Sequence, residues 1–355
     1  MKYKSLLRIL STVFGIFVVV STLPITALAA DQQGNFSLQV TPSPLVVSIQ
    51  PGASNTSELK IRNNGDKSEY LKIEPRSFTV NSDNGAITLG NSAPADISSW
   101  VTFEHPTFTI KPGEWFTERL TIALPANAGF SYSFALEISR VENVKPQQGE
   151  TAVHGSVAVF TLIAVDRPDA KKELQVVSFK ATQTVYEYLP VKLKTTFKNT
   201  GNTIVQPSGN IFIQRGSNDK KPLAVLPVND GGGYILPGST RVLNSEWTDG
   251  FPAYVATQDA ANTSTKNSLK WNWQNIGSFR IGPYKAKLVG IYNDGSKDVP
   301  LEAETTFWVL PWKILLGVFI IAALIVIGIF TIVKKSFKAV YHPKKAERHE
   351  TSDQE

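Results

Sequence analysis

The 355-residue sequence contains no cysteine. That absence excludes a disulfide framework, thiol catalysis, cysteine-based zinc sites and iron–sulfur clusters. A chain without such staples needs domains large enough to bury substantial cores. Histidine is almost as scarce. Of the four, His342 and His349 lie near the C-terminus, and His105 and His154 stand alone in the body, without the spacing a zinc site requires. No stretch between residues 31 and 311 keeps a long helical period. A basic patch is missing too, although the net charge is +6. Three basic residues sit within the first eight positions and six follow residue 333, leaving 27 basic against 26 acidic residues between 31 and 313. A body so close to neutral gives no electrostatic case for nucleic acid.

Two hydrophobic segments are present. Lys2, Lys4 and Arg8 precede the apolar run Val13 to Val20, and Thr26-Ala27-Leu28-Ala29-Ala30 follows. A basic start, a short apolar core and small residues before a cleavage point make residues 1–30 a signal peptide, cut after Ala29 or Ala30. The core is short for an uncleaved anchor. The second segment, Ile314 to Val333, runs twenty residues without a charge, about 30 Å as a helix, which matches a bilayer's hydrocarbon thickness. Trp308 and Trp312 flank it on one side, and Lys334, Lys335, Lys338, Lys344 and Lys345 on the other. Indole favours the membrane interface and lysines favour the cytoplasmic side. Lys313, on the outer side, can snorkel. The expectation is an integral protein of the cell membrane. It crosses once at 312–333, with its N-terminal bulk outside the cell and a basic cytoplasmic tail at 334–355. Export without cysteine reads as bacterial.

The body reads as all-β. Glu58-Leu59-Lys60-Ile61-Arg62, Arg119 to Leu124 and Val191 to Phe197 alternate apolar and polar, the period of a strand with one buried face. Gly, Pro, Asn and Asp punctuate these runs. A plan repeats. Arg62-Asn63-Asn64-Gly65 is followed by Lys111-Pro112-Gly113, and Lys198-Asn199-Thr200-Gly201 by Leu236-Pro237-Gly238. Asn and Gly suit left-handed backbone, and Pro-Gly suits a type II turn. Each half closes on a hairpin: Tyr132–Val141 with Gly155–Val165, and Tyr284–Tyr292 with Glu302–Trp308 across Asn293-Asp294-Gly295. The fold predicted is two tandem immunoglobulin-like β-sandwiches, 31–168 and 169–311, divided at the polar, proline-containing stretch Arg167–Lys172 and followed by one transmembrane α-helix. Pro311-Trp312-Lys313 leaves no stalk between second sandwich and membrane.

This architecture resembles the WxL-interacting protein family of Gram-positive cell surfaces. The similarity spans the chain, with local matches at Phe36-Ser37-Leu38-Gln39-Val40, the downstream Pro-Gly turn, Asn63-Asn64-Gly65, and Phe307-Trp308-Val309-Leu310-Pro311. The resemblance implies a first domain associated with peptidoglycan and a second associated with a partner protein. Trp308-Val309-Leu310 is one strand entering the membrane, and the chain has no C-terminal WxL domain.

Catalytic chemistry finds little footing. Ser57-Glu58-Leu59-Lys60 has the letters of a Ser-x-x-Lys nucleophile, but that motif needs a helix and this segment alternates as a strand. Gly231-Gly232-Gly233 lacks the Lys-Ser/Thr and helix of a phosphate loop and reads as a long hairpin tip. Asn81–Gly85 and Asn293–Asp298 read as turns rather than calcium loops, lacking ligand count and terminal Glu. No cofactor or metal is implied. The candidate site is the pair Trp271 and Trp273, two apart on an expected strand and so on one face. Buried, they fill a core, which the area of each indole favours. Exposed, they form a stacking platform for sugars or a partner. Trp100, Trp115 and Trp247 carry the same ambiguity. The leading expectation is a non-enzymatic surface protein, adhesive or scaffolding, that binds peptidoglycan or another surface protein. The alternatives are an accessory subunit of a membrane complex, which would need a specific helix although 314–333 holds no Gly-x-x-x-Gly, and an extracellular hydrolase with an unrecognised site.

Overall fold

The computed structural model describes residues 35–82, 85–141, 155–216, 221–258 and 265–341. The expected signal peptide, His154 and the tail beyond Tyr341 lie outside the described residues. Within them, the first domain packs two sheets. One has the order β1 (Leu38–Thr41), β3 (Ser54–Asn63), β9 (Trp115–Ala123), β7 (Val101–Phe103). The other runs β2 (Leu45–Ile49), β11 (Ser156–Val165), β10 (Ser131–Arg140), β4 (Glu69–Arg76), β8 (Thr107–Ile110). Between β4 and β7 lie a small hairpin, β5 (Phe78–Val80) with β6 (Ile87–Leu89), and a short helix, α1 (Ala95–Trp100).

The second domain repeats the scheme. β12 (Leu174–Ala181), β14 (Val191–Asn199) and β17 (Thr240–Trp247) form one sheet. β13 (Val185–Tyr186), β21 (Asp298–Val309), β20 (Gly282–Asn293), β15 (Ser208–Arg215) and β16 (Ala224–Val228) form the other. Its insertion falls elsewhere, between β17 and β20, as the ribbon β18 (Ala253–Gln258) with β19 (Thr265–Lys270) and a 3₁₀ turn at Trp273–Ser278. In both domains the entering strand is split. Its first part pairs antiparallel with the second long strand, Leu38 facing Asn63 and Leu174 facing Asn199. Its second part crosses over to run parallel to the domain's last strand. Two tandem immunoglobulin-like sandwiches are thus observed, and both closing hairpins pair as the sequence indicates.

Alternation along the strands builds the cores. Leu59 and Ile61 of β3 meet Leu120 and Ile122 of β9 and Phe134, Leu136 and Ile138 of β10, all fully buried. Val191, Leu193 and Phe197 of β14 meet Trp247, Tyr284 and Phe307 in the second domain. Each such side chain contributes about 1.5–3 kcal/mol by leaving water. Trp247 is therefore core, its ring 5.2 Å from Tyr284. Trp115 is half exposed beside Arg62, and Trp100 is half-buried on Tyr132.

The repeated Asn-x-Gly has a different cause from the one expected. Gly113 and Gly238 take the positive φ of Pro-Gly turns, at 78° and 69°. Asn63, Gly65, Asn199 and Gly201 are not in left-handed backbone. The asparagines are fully buried instead. Asn63 Nδ2 donates to the carbonyls of Lys67 (2.7 Å) and Ile110 (3.1 Å), and its Oδ1 accepts from Gly65 N (2.8 Å). Asn199 repeats this with Thr203 (2.8 Å), Ile235 (2.9 Å) and Gly201 N (2.9 Å). Each glycine lets the corner press on the segment entering its domain: a Cβ on Gly65 would lie 2.4 Å from the Asn35 carbonyl, and one on Gly201 2.3 Å from that of Lys171. Gly231–Gly233 is likewise no hairpin tip. It links β16 to β17, which belong to opposite sheets, and Asn229 ties it down through Gly233.

The segment 166–173 joins the domains. Arg167 donates to the Ala128 carbonyl (2.7 Å) and stacks on Phe130, while Asn202 grips Asp169 and Lys171 from the other side. At the far end, Leu310 N bonds the Tyr186 carbonyl (2.7 Å), and α2 (Trp312–Tyr341) begins two residues later with no spacer. Residues Trp312–Lys335 of α2 are long and apolar enough to cross a membrane, and their side chains are not buried against the sandwiches. The helix continues through Lys334 and Lys335, both exposed.

Candidate functional site

Ser57 and Lys60 sit on β3 with opposite orientations, and Ser57 Oγ donates to Asn55 Oδ1 (2.8 Å). That geometry gives the serine no base. Asp294 is consumed by its own turn, accepting from Ser296 N, Ser296 Oγ and Lys297 N, each at 2.8 Å. These N–H groups hold its carboxyl below the ordinary range. Among the described residues no cluster of three or more His, Asp or Glu side chains could hold a metal ion. Glu118 is the buried acid that stands out. Its Oε1 accepts from His105 N (2.9 Å), Oε2 lies 3.5 Å from His105 Nδ1, and burial raises its pKa against the lowering effect of that N–H. It supports the turn at His105 from inside the sandwich.

Two concave surfaces are more promising, and both lie on the outer face of the first domain's five-stranded sheet. The larger, about 490 Å³, opens between the domains. Phe160 and Leu162 of β11 form its floor, Phe78 and Val80 of the β5–β6 hairpin one wall, and Tyr234 and Leu236 of the second domain the other. Phe78 meets Phe160 edge to face at 5.0 Å. Farther along the sheet is a polar hollow of about 480 Å³ bordered by Lys72, Arg76, Glu137 and Arg140. Here Arg76 binds Glu137 (2.8 Å) and Glu74, and Arg140 forks onto the nearly buried Glu69 while its guanidinium lies over Phe36. The apolar cleft and the Arg76–Glu137 pair thus share the outer face of the sheet, while Arg140 and Glu69 pair on its core-facing side.

Sequence reasoning missed this face, although β11 carried the signal. Val157 to Val165 is apolar on both sides of the strand, which a half-solvated strand does not need and a strand covered on both faces does.

The expectation that favoured burying Trp271 and Trp273 is overturned. Neither is on a strand. β19 ends at Lys270, and Asn272 Oδ1 accepts from Gln274 N to start the 3₁₀ turn. Both rings are exposed, at 47% and 66%. They stack on each other (5.8 Å, 26°) and both contact Phe251. Trp308, on β21, and Trp312, opening α2, are half exposed at the same end of the domain, close to the first turn of the helix.

No protein-family model matches the sequence, and no curated protein matches it. Several solved structures share the outline of the fold. A chain of the CsuC–CsuE chaperone–tip adhesion subunit pre-assembly complex of Acinetobacter baumannii is 14% identical, with a TM-score of 0.35 over 75% of this chain and 97% of its own. The class 5 fimbriae chaperone CfaA is 10% identical, with a TM-score of 0.33 over 77% of this chain and 100% of its own. The E. coli chaperone DraB is 12% identical, with a TM-score of 0.32 over 76% and 98%. Likeness this distant carries no argument about partners or activity. The sandwiches rest on their own registers and cores.

Proposed function

We propose that this chain is a non-enzymatic surface protein, held in the cell membrane by α2 with its sandwiches outside and its basic tail in the cytoplasm. It acts as a scaffold or adhesion component that grips a segment of another exported protein in the cleft between its domains. The cleft itself carries the reading: an apolar hollow of about 490 Å³, built from both sandwiches and sharing the sheet's outer face with the Arg76–Glu137 pair, suits an extended peptide with alternating apolar and polar side chains. The resemblance to WxL-interacting proteins supports a partner on a Gram-positive cell surface, with peptidoglycan as a second ligand for the first domain. The test uses the full chain in lipid nanodiscs, presented with surface-protein extract and with purified wall. Retention of a surface protein that is lost with Leu236→Arg, which fills the cleft, is the expected result. Retention of neither material, or binding indifferent to Leu236→Arg, defeats the assignment.

A further inference from the structure

The insertion between β17 and β20 is tethered at one end of the second sandwich. It leaves β17 at Trp247, which faces Val191, and returns at Gly282, which faces Val309, three residues before α2 begins. Its other ties lie at the same end. Ala253 bridges to Leu189, Tyr254 N donates to the Leu189 carbonyl (2.8 Å), and Phe251 bridges to Phe279. The Tyr188 and Tyr254 rings are 5.7 Å apart. The neighbouring Glu187 takes Lys313, in the first turn of α2, at 3.0 Å. The insertion is therefore a cap on the end of the domain from which the helix emerges.

What the cap exposes is apolar. Trp271, Trp273, Ile276 and Phe279 present large side chains to solvent within nine residues, backed by Phe251. Arg280, directly after Phe279, is paired with Asp249 at 2.5 Å, and the exposed Lys270 before Trp271 is of the sign that lipid phosphates attract. Such a patch left in water forfeits the gain of burying its apolar surface, whereas indole rings gain from a place among lipid headgroups. Trp308, Leu310 and Trp312, exposed at the same end, extend the patch to the point of helix entry.

We propose that the segment Trp271–Phe279 inserts into the outer interface of the same bilayer that α2 crosses, so that the second sandwich lies on the membrane with a fixed tilt. This rests on α2 being a membrane span, and the occupant of the patch is phospholipid rather than sugar or protein.

Because the chain lacks cysteine, single introduced thiols report unambiguously. Ile276→Cys, Val318→Cys in α2 and Lys111→Cys in the first domain each carry an environment-sensitive fluorophore. The full chain is placed in phosphatidylcholine vesicles with and without doxyl-labelled lipid. All three sites are exposed, so folding is not at stake. The expected result is blue-shifted emission at 276, quenched by shallow doxyl groups. Emission at 318, about 6 Å inside the start of the apolar run, should be quenched by doxyl groups of both depths, and emission at 111 by neither. Quenching at 318 with none at 276 overturns the interfacial cap and leaves the span standing; quenching at neither overturns both. A 276 label that responds to soluble wall fragments and not to doxyl lipid reassigns the tryptophans to sugar and also overturns the proposal.

Discussion

Asn63 and Asn199 do the same work in the two domains. Each is fully buried at the end of the second long strand, and each joins two carbonyls and one N–H, including the buried carbonyl of Ile110 in one domain and those of Thr203 and Ile235 in the other. Replacing either with Ala leaves those groups unpaired, and a buried unsatisfied polar group costs about 1–3 kcal/mol. Asn63→Ala and Asn199→Ala are each expected to lower stability by roughly 2–4 kcal/mol, measured by chemical denaturation of the purified chain. A loss below about 0.5 kcal/mol would show that the corners are held by backbone alone. Glu118 offers a residue-scale test in pH. Burial raises its folded pKa above the unfolded value, so the neutral form suits the fold. Its contribution is complete below the unfolded pKa and is lost as pH rises through the raised one. Glu118→Gln keeps an acceptor for His105 N and cannot ionise. The variant should therefore gain stability relative to the parent as pH rises above the ordinary carboxylate range, as read from denaturation midpoints across a pH series; a difference independent of pH would refute the ionisation.

At the scale of elements, the strands and both closing hairpins were legible, whereas the second covered face of β11 and the non-strand stretch at Trp271–Ser278 were not. β3, β9 and β14 alternate because a core lies on one side and water on the other. The stretch 248–281 could not be read the same way. Its tryptophans are two apart, as on a strand, yet Asn272 between them caps a 3₁₀ turn, and nothing in residue spacing distinguishes that cap from a strand position. The pairing of β15 with β20 was hidden for another reason. It brings Gly209 opposite Gly290, and glycine carries no hydrophobic pattern. Gly209 has φ of 152°, and a Cβ there would lie 2.5 Å from both Gly290 Cα and the Val289 carbonyl oxygen. At Gly290 the nearest atom, the Ser208 carbonyl oxygen, is 3.1 Å away. Gly209→Ala should cost about 1–3 kcal/mol from strain, and Gly290→Ala distinctly less, when thermal unfolding of the two variants is compared. Equal losses would mean that the strand pair simply shifts apart.

For the whole molecule, the cleft exists only while the two sandwiches keep their angle. Few groups set it. Asn202 donates to the Asp169 carbonyl (3.1 Å) and accepts from Lys171 N (2.6 Å), its carbonyl takes Ser131 Oγ (3.4 Å), and Val242 N reaches the Ser82 carbonyl (3.3 Å). Interfaces between domains ordinarily permit motion, and the side chain of Asn202 ties the linker on the second domain's side as Arg167 does on the first's. Asn202→Ala removes two hydrogen bonds at the joint and none inside either core. Its expected effect is a looser angle with each sandwich intact. Spin labels at Lys111→Cys and Lys297→Cys, one on each domain of a chain with no other thiol, read the angle as a distance distribution. That distribution should broaden in Asn202→Ala, while the denaturation midpoints move by less than about 1 kcal/mol equivalent, and the same variant should weaken retention of any partner that Leu236→Arg abolishes. An unchanged distribution would place the restraint in the other ties at the joint, Arg167 to the Ala128 carbonyl and Val242 N to the Ser82 carbonyl, and Asn202 would then have no part in holding the cleft open.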